Sequence, residues 1–188
     1  MTTIAAVQGP GWAAVAWDSR VVEEDARIFT LPKSQMKVSQ NNDFLLGAAG
    51  DMRAINLLTH TLKPTKPPVG LSEQELDAFM GTKFLKELKK CFDEAQYGEK
   101  GTQDSSVIAL VQGRVYEFGA NYDWCHDDAG FYAVGTGAQY ALGALSSLLE
   151  GKKITQAAAR EALGAALAAS CKYDPNTGGP IHISVQSR

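Results

Sequence analysis

Apolar segments follow one another along this chain in blocks: short strand-like runs, two helical stripes, more strand-like runs, two further helical stripes and a last strand. Strand runs separated by helix pairs, rather than strict strand–helix alternation, indicate an α+β layered fold. The arrangement that buries every apolar stripe is a four-layer αββα sandwich, with two antiparallel sheets face to face and a helix pair on each outer side. No repeat, linker or composition shift divides residues 1–188, so one domain is expected.

Residues 3–8 and 12–17 are rich in Ile, Val, Ala and Trp and flank Gly9-Pro10-Gly11, which predicts a hairpin. Asp18-Ser19-Arg20 ends the second strand. Extended segments are predicted near 26–31 and 37–40, and at 44–49 after the turn residues Asn41, Asn42 and Asp43. Ile55, Leu57, Leu58 and Leu62 recur at helical spacing and predict a helix from residue 51 or 52 to 62. After a proline-rich loop at 63–70, Ser72 and Glu75 match a capping box that opens a second helix to about residue 95, weakened at Gly81. The polar stretch 98–105 reads as a loop. Residues 106–112 and 115–118 form a second hairpin across Gly113-Arg114. Residues 120–130 read as irregular and 131–134 as a strand. Helices follow at about 138–150 and 155–172, then a strand at 180–186.

With 45% hydrophobic and 21% charged residues, the chain has the apolar content for a substantial core. Its net charge is -3, and the densest basic cluster, Lys86, Lys89 and Lys90, shares a predicted helix with Glu87 and Asp93. This reads as a solvated face rather than a nucleic-acid stripe. The Ala-rich stretch 157–169 is interrupted by Arg160, Glu161 and Gly164, and no run reaches membrane-spanning length. Cys91, Cys125 and Cys171 are too few and too scattered for a disulfide scaffold. Thr2 onwards reads as structure rather than as a charged leader. A cytoplasmic protein that meets neither nucleic acid nor membrane is expected.

Chemistry is concentrated at the start of the chain. Thr2 is small enough for Met1 to be trimmed, and a free N-terminal Thr carries a nucleophile and a base in one residue. Its α-amine titrates ordinarily near about 7.7–8.0, close to working pH. Asp18, at the end of an apolar strand, requires a partner. Lys37 and Lys33 are the cations in reach, and from spacing alone a structural ion pair or a turn aspartate accounts for Asp18 equally well.

Thr2-Thr3-Ile4-Ala5 followed by Ala16-Trp17-Asp18-Ser19-Arg20 resembles the start of proteasome β subunits and of the bacterial peptidase HslV. Leu46-Gly47-Ala48-Ala49-Gly50-Asp51 resembles the glycine-containing strand end of these N-terminal-nucleophile (Ntn) hydrolases. Gly135-Thr136-Gly137 with Tyr140-Ala141-Leu142-Gly143 resembles their Gly-Ser-Gly element and helix. Asp174-Pro175-Asn176-Thr177-Gly178-Gly179 resembles their Asp-x-x-Ser-Gly-Gly element. The blocks run in family order from residue 2 to residue 179. The middle, from about 60 to 130, follows HslV less closely, as in a divergent bacterial or phage-like branch.

The resemblance implies Thr2 as nucleophile, Asp18 as holder of the catalytic lysine, and the Gly50 N–H as oxyanion donor. Thr136, Asp174 and Thr177 would position the amine and a water; both threonines replace the more usual serine. The family lysine directly precedes a short apolar strand, as Lys37 precedes Val38, so Lys37 is preferred and Lys33 is the alternative. No cofactor is implied as required. A structural monovalent or divalent cation would lie on the backbone carbonyls of Cys171, Asp174 and Thr177. Ala48 would leave room for a large apolar side chain before the cut bond. The implied activity is a threonine endopeptidase acting on polypeptides as a homo-oligomeric ring, with an ATP-dependent unfoldase as partner. The alternatives are a small-molecule Ntn amidase and a non-catalytic ring subunit.

Cys125-His126-Asp127-Asp128 lacks a second Cys/His cluster and reads as a polar surface loop rather than a metal site. His60 and His182 read as surface or packing residues. For helix 157–169, small residues serve either packing within the chain or a ring contact.

Overall fold

Strands β1 (Thr3–Gly9) and β2 (Trp12–Trp17) form the predicted hairpin, pairing Ile4 with Trp17 and Gly9 with Trp12. The computed structural model describes residues 2–23, 25–99 and 102–188. A ribbon, β3 (Arg20–Val22) with β4 (Ile28–Thr30), follows; then come β5 (Val38–Asn41) and β6 (Phe44–Ala49). Helix α1 (Met52–Asn56) continues as a π-helical turn over Leu57–Thr61. Helices α2 (Glu73–Phe79) and α3 (Leu85–Glu94) are joined through a second π-helical turn, Met80–Phe84. The chain goes on through β7 (Ser106–Val111), β8 (Arg114–Phe118), β9 (Trp124–Cys125) and β10 (Phe131–Gly135). Helices α4 (Ala138–Leu149) and α5 (Gln156–Tyr173) precede β11 (His182–Ser187). No helix among the described residues is long and apolar enough to cross a membrane.

Two antiparallel sheets result, one ordered β10-β1-β2-β11 and one β5-β6-β7-β8-β9. Strand parity distributes their side chains among three apolar layers. Ala5 and Val7 of β1 with Ala14 and Ala16 of β2 face Ala141 and Leu145 of α4 and Leu163 and Leu167 of α5. The intervening residues Ile4, Ala6, Val15 and Trp17 face the other sheet and meet Val38, Leu45, Ile108 and Leu110. Beyond that sheet, Phe44, Leu46, Val107 and Ala109 pack on Leu58, Met80, Phe84 and Leu88. Each fully buried Leu, Ile or Phe contributes about 1.5–3 kcal/mol, so the layers reinforce one another. This is the expected four-layer α+β sandwich.

Local chemistry accounts for the element ends. Ser72 and Glu75 complete a reciprocal capping box at the start of α2. At Gly81, where a weakening was expected, the predicted second helix departs from α geometry into its π turn, and a methyl there would meet Trp124 Nε1 at 3.3 Å. The second hairpin turns one residue earlier than expected, at Gln112 (φ 48°) and Gly113 (φ 75°), leaving Arg114 to begin β8. Two positive φ values give the twist that tight hairpins need. Segments 26–31 and 37–40 do not share a sheet: β4 pairs with β3, and β5 with β6. Strands β3 and β9 were not legible in the sequence, having only three and two residues. The small residues of α5 are used within the chain, with Ala159, Ala162 and Ala166 buried against the first sheet and α4.

Candidate active site

The end of β2 delivers Asp18 into a fully buried position. Its Oδ1 accepts the Thr3 N–H at 3.1 Å and the Lys37 ammonium at 2.8 Å. Its Oδ2 accepts the N–H groups of Arg20 and Gly178, each at 3.0 Å. Four donors thus surround a carboxylate with no access to water, which is how a buried charge is accommodated. Lys37, at the entrance to β5 and 1% exposed, also donates to the Arg20 carbonyl. Burial pushes its ammonium below the ordinary lysine range, and the Asp18 charge only partly offsets that. Lys33 is exposed and borders a different cavity, beside Gln35 and His60. Of the two lysines, the fold brings only Lys37 to Asp18 among the ion pairs of the described residues.

A second cluster lies where α5 ends. Asp174 Oδ2 accepts the Thr136 hydroxyl at 2.7 Å and the Thr177 hydroxyl at 2.5 Å, while Oδ1 accepts the Asn176 N–H at 3.1 Å. Thr3 Oγ1 is 2.6 Å from Thr177 Oγ1. The Thr177 proton is committed to Asp174, so Thr3 is the donor in that pair. Hydroxyls that join the start of β1 to the end of α5 therefore converge on one carboxylate. Burial alone would raise the Asp174 pKa, but the hydrogen bonds from Thr177, Thr136 and Asn176 outweigh it and hold the carboxyl below its usual range.

Thr2 is 2% exposed and lines a recess of about 330 Å³ with Ala49, Gly50, Ser106, Gly135 and Thr136. Gly135 has φ +98°, and a methyl there would lie 1.9 Å from the Thr2 carbonyl oxygen, so only glycine lets β10 approach this closely. Gly50 also borders a larger cleft of about 710 Å³ walled by Val21, Val22, Phe29 and Met52, with Glu23 and Asp51 at its rim. Ala48 lines neither; it points into the helix-side core, and its neighbour Ala49 borders the recess. Met1, whose removal is expected, lies outside the described residues.

The Asp174 carbonyl accepts the Thr177 N–H at 3.1 Å, which leaves it a second lone pair. His126 belongs to another network, with Nε2 2.9 Å from Arg114 and 3.1 Å from Asp77. His182 stacks on Trp17 and lies 2.9 Å from Ser19 Oγ. The reading of the sequence missed Thr3, Arg20, Gly178 and Ser170, whose hydroxyl reaches the Gly137 carbonyl at 3.0 Å. Only the proximity of Thr3 and Arg20 to Thr2 and Asp18 could have flagged them.

The lowered Asp174 pKa has a consequence for stability. Near the ordinary carboxylate range the folded chain binds fewer protons than the unfolded chain. The stabilisation is therefore full above about pH 4 and is lost as pH falls through the folded value. Asp174→Asn should flatten the acid limb of a plot of melting temperature against pH, while wild type falls more steeply. Parallel curves down to about pH 2.5 would contradict this.

No family model matches the sequence, and no curated protein matches it. Solved structures do match. Thiobacillus denitrificans BPH superposes with a TM-score of 0.76 at 18% identity, covering 99% of this chain and 98% of that one. BPH in complex with epoxomicin matches equally well. Eukaryotic HslV from Trypanosoma brucei gives a TM-score of 0.70 at 16% identity, with both chains fully covered. End to end, this chain therefore has the fold shared by BPH and HslV, the proteasome-type sandwich of two antiparallel sheets between helix pairs.

Proposed function

We propose that this chain is a threonine-type endopeptidase subunit of a proteasome-like ring, a divergent relative of HslV, with Thr2 as nucleophile once Met1 is removed. The observation that carries the proposal is the placement of Thr2 in one recess with Gly50 and Thr136, directly before the residue whose amide shares Asp18 Oδ1 with Lys37. The likeness to a protein solved in complex with epoxomicin supports it.

In this mechanism the Thr2 hydroxyl attacks the peptide carbonyl and its proton passes to the α-amine of Thr2. The Gly50 N–H meets the developing oxyanion. The C–N bond breaks as the leaving amine takes that proton, which leaves an ester on Thr2. Water then attacks the ester, releases the carboxylic acid and restores the hydroxyl. Lys37, held by Asp18, supplies positive charge that favours the neutral amine and the alkoxide-like transition state. Thr136, Asp174 and Thr177 orient the amine and the attacking water. The cleft of about 710 Å³ beyond Gly50 would receive the polypeptide. A structural cation would sit on the carbonyls of Cys171, Asp174 and Thr177, since carbonyl oxygens suit a hard ion, and no catalytic step needs it. A homo-oligomeric ring in the cytoplasm, fed by an ATP-dependent unfoldase, completes the proposal.

Intact mass before and after epoxomicin treatment tests it. The expected result is a chain lacking Met1 that gains one adduct. A chain that retains Met1 and gains no adduct would instead be a non-catalytic ring subunit. An adduct on a protein of monomeric native mass that cleaves only small amides would identify an amidase.

A further inference from the structure

Gly50 needs a fixed orientation, yet no sheet ladder fixes it. The pairing of β6 with β7 ends at Ala49 and Ser106, one step before Gly50 and Ser105. Gly50 has φ +137°, a conformation that side chains rarely adopt, and glycine has the greatest backbone freedom to lose on ordering. What meets it is Ser105: a methyl on Gly50 would sit 2.6 Å from Ser105 Oγ, 2.9 Å from the Asp104 carbonyl and 3.1 Å from Ser105 Cα. Ser105 is held from behind. Its hydroxyl lies 2.5 Å from the Tyr97 hydroxyl, and both side chains are buried. The Tyr97 ring rests edge-on against Phe92 of α3 at 5.1 Å, and its N–H bonds the Phe92 carbonyl at 2.9 Å.

We infer that the Tyr97–Ser105 hydroxyl pair is a positioning brace that sets the direction of the Gly50 N–H, acting from α3 across the end of the sheet. This rests on the proposed role of Gly50. Neither residue lines the recess or the cleft, so both would act as positioning residues. Burial pushes the Tyr97 hydroxyl up from its ordinary range, and the Ser105 hydrogen bond only partly opposes that.

Tyr97→Phe removes one oxygen and keeps the ring on Phe92. It is expected to lower kcat about tenfold with KM nearly unchanged, because a donor set askew costs transition-state binding and not ground-state binding. A peptide aldehyde separates this from general loosening. Thr2 Oγ adds to its carbon, the proton passes to the α-amine, and the carbonyl oxygen becomes an oxyanion facing Gly50. Aldehyde affinity should fall in step with kcat, while affinity for the same peptide ending in a carboxamide stays unchanged. Ser105→Ala should match Tyr97→Phe, and the double variant should be no worse than either. Unchanged kcat, or a rise in KM and carboxamide Kd alone, would overturn the brace. Hydrogen exchange of the segment containing Gly50 gives an independent reading in wild type and Tyr97→Phe. Faster exchange in the variant is expected, and equal rates would overturn the brace. If wild type forms no epoxomicin adduct, the proposed function falls, and this exchange still decides the brace.

Discussion

Thr2→Ala is expected to lower peptide turnover at least roughly 1,000-fold and to abolish the epoxomicin adduct, with the fold retained. Loss of a nucleophile removes the covalent route altogether, and whatever rate survives comes from binding and oxyanion stabilisation alone. The fold should tolerate the change because Thr2 stands before β1 and contributes nothing to the three apolar layers. A substitution that removes so little buried material shifts stability by about 1 kcal/mol. Turnover of a fluorogenic peptide, followed beside the melting temperature, checks both halves. Full activity in Thr2→Ala would end the mechanism. Lost activity accompanied by unfolding would show instead that Thr2 is structural.

Lys37→Met should have the largest effect on stability. Asp18 is fully buried, and without the ammonium its charge would be left with three backbone N–H groups and no counter-ion. Removing one partner of a buried pair costs about 3–5 kcal/mol, much of it the penalty for the charge left behind. For a domain of this size that lowers the melting temperature by roughly 6–20 °C. Lys33→Met is the matched control. It removes an equal charge from an exposed position and should change stability by less than about 0.5 kcal/mol. Denaturant titration of the two variants measures the difference; equal midpoints would mean that the Asp18–Lys37 pair does not hold the β2 end to β5. If the Lys37→Met protein still folds at low temperature, its turnover should also fall, because the charge that favours the neutral Thr2 amine is gone.

Some of this was legible in advance because it depends on neighbours in the chain. The β1–β2 hairpin follows from two apolar runs around Gly9-Pro10-Gly11, and the start of α2 from Ser72 and Glu75. The break between α4 and α5 was legible at Gly151, which takes φ +72°. The parity of β6 was not. Phe44, Leu46 and Ala48 face the helices, while Leu45 and Ala49 face the other sheet, and all are apolar. A strand buried on both faces shows no alternation, so the pattern gives no sign of which alanine borders the recess. The π-helical turns were invisible for a related reason. Apolar residues keep an ordinary helical spacing through both, Leu58 and Leu62 at one and Met80 and Phe84 at the other, so nothing in the pattern marks the widening.

The candidates Gly50, Thr136, Asp174 and Thr177 were legible only through the resemblance of their motifs, beside Thr2 and Asp18; the sequence by itself determined the layers, through the order of strand runs and helix pairs and the apolar stripes to be buried. Those properties live in side-chain type and in spacing of a few residues, where chain connectivity dictates geometry. Only the tertiary structure decided which groups meet. It placed Lys37 rather than Lys33 on Asp18, gathered Thr3, Thr136 and Thr177 around Asp174, and set Tyr97 behind Ser105. Most of these contacts join residues far apart in the chain. A loop between two elements can deliver either of two lysines, and the choice falls to whichever position lets a buried carboxylate satisfy all its donors.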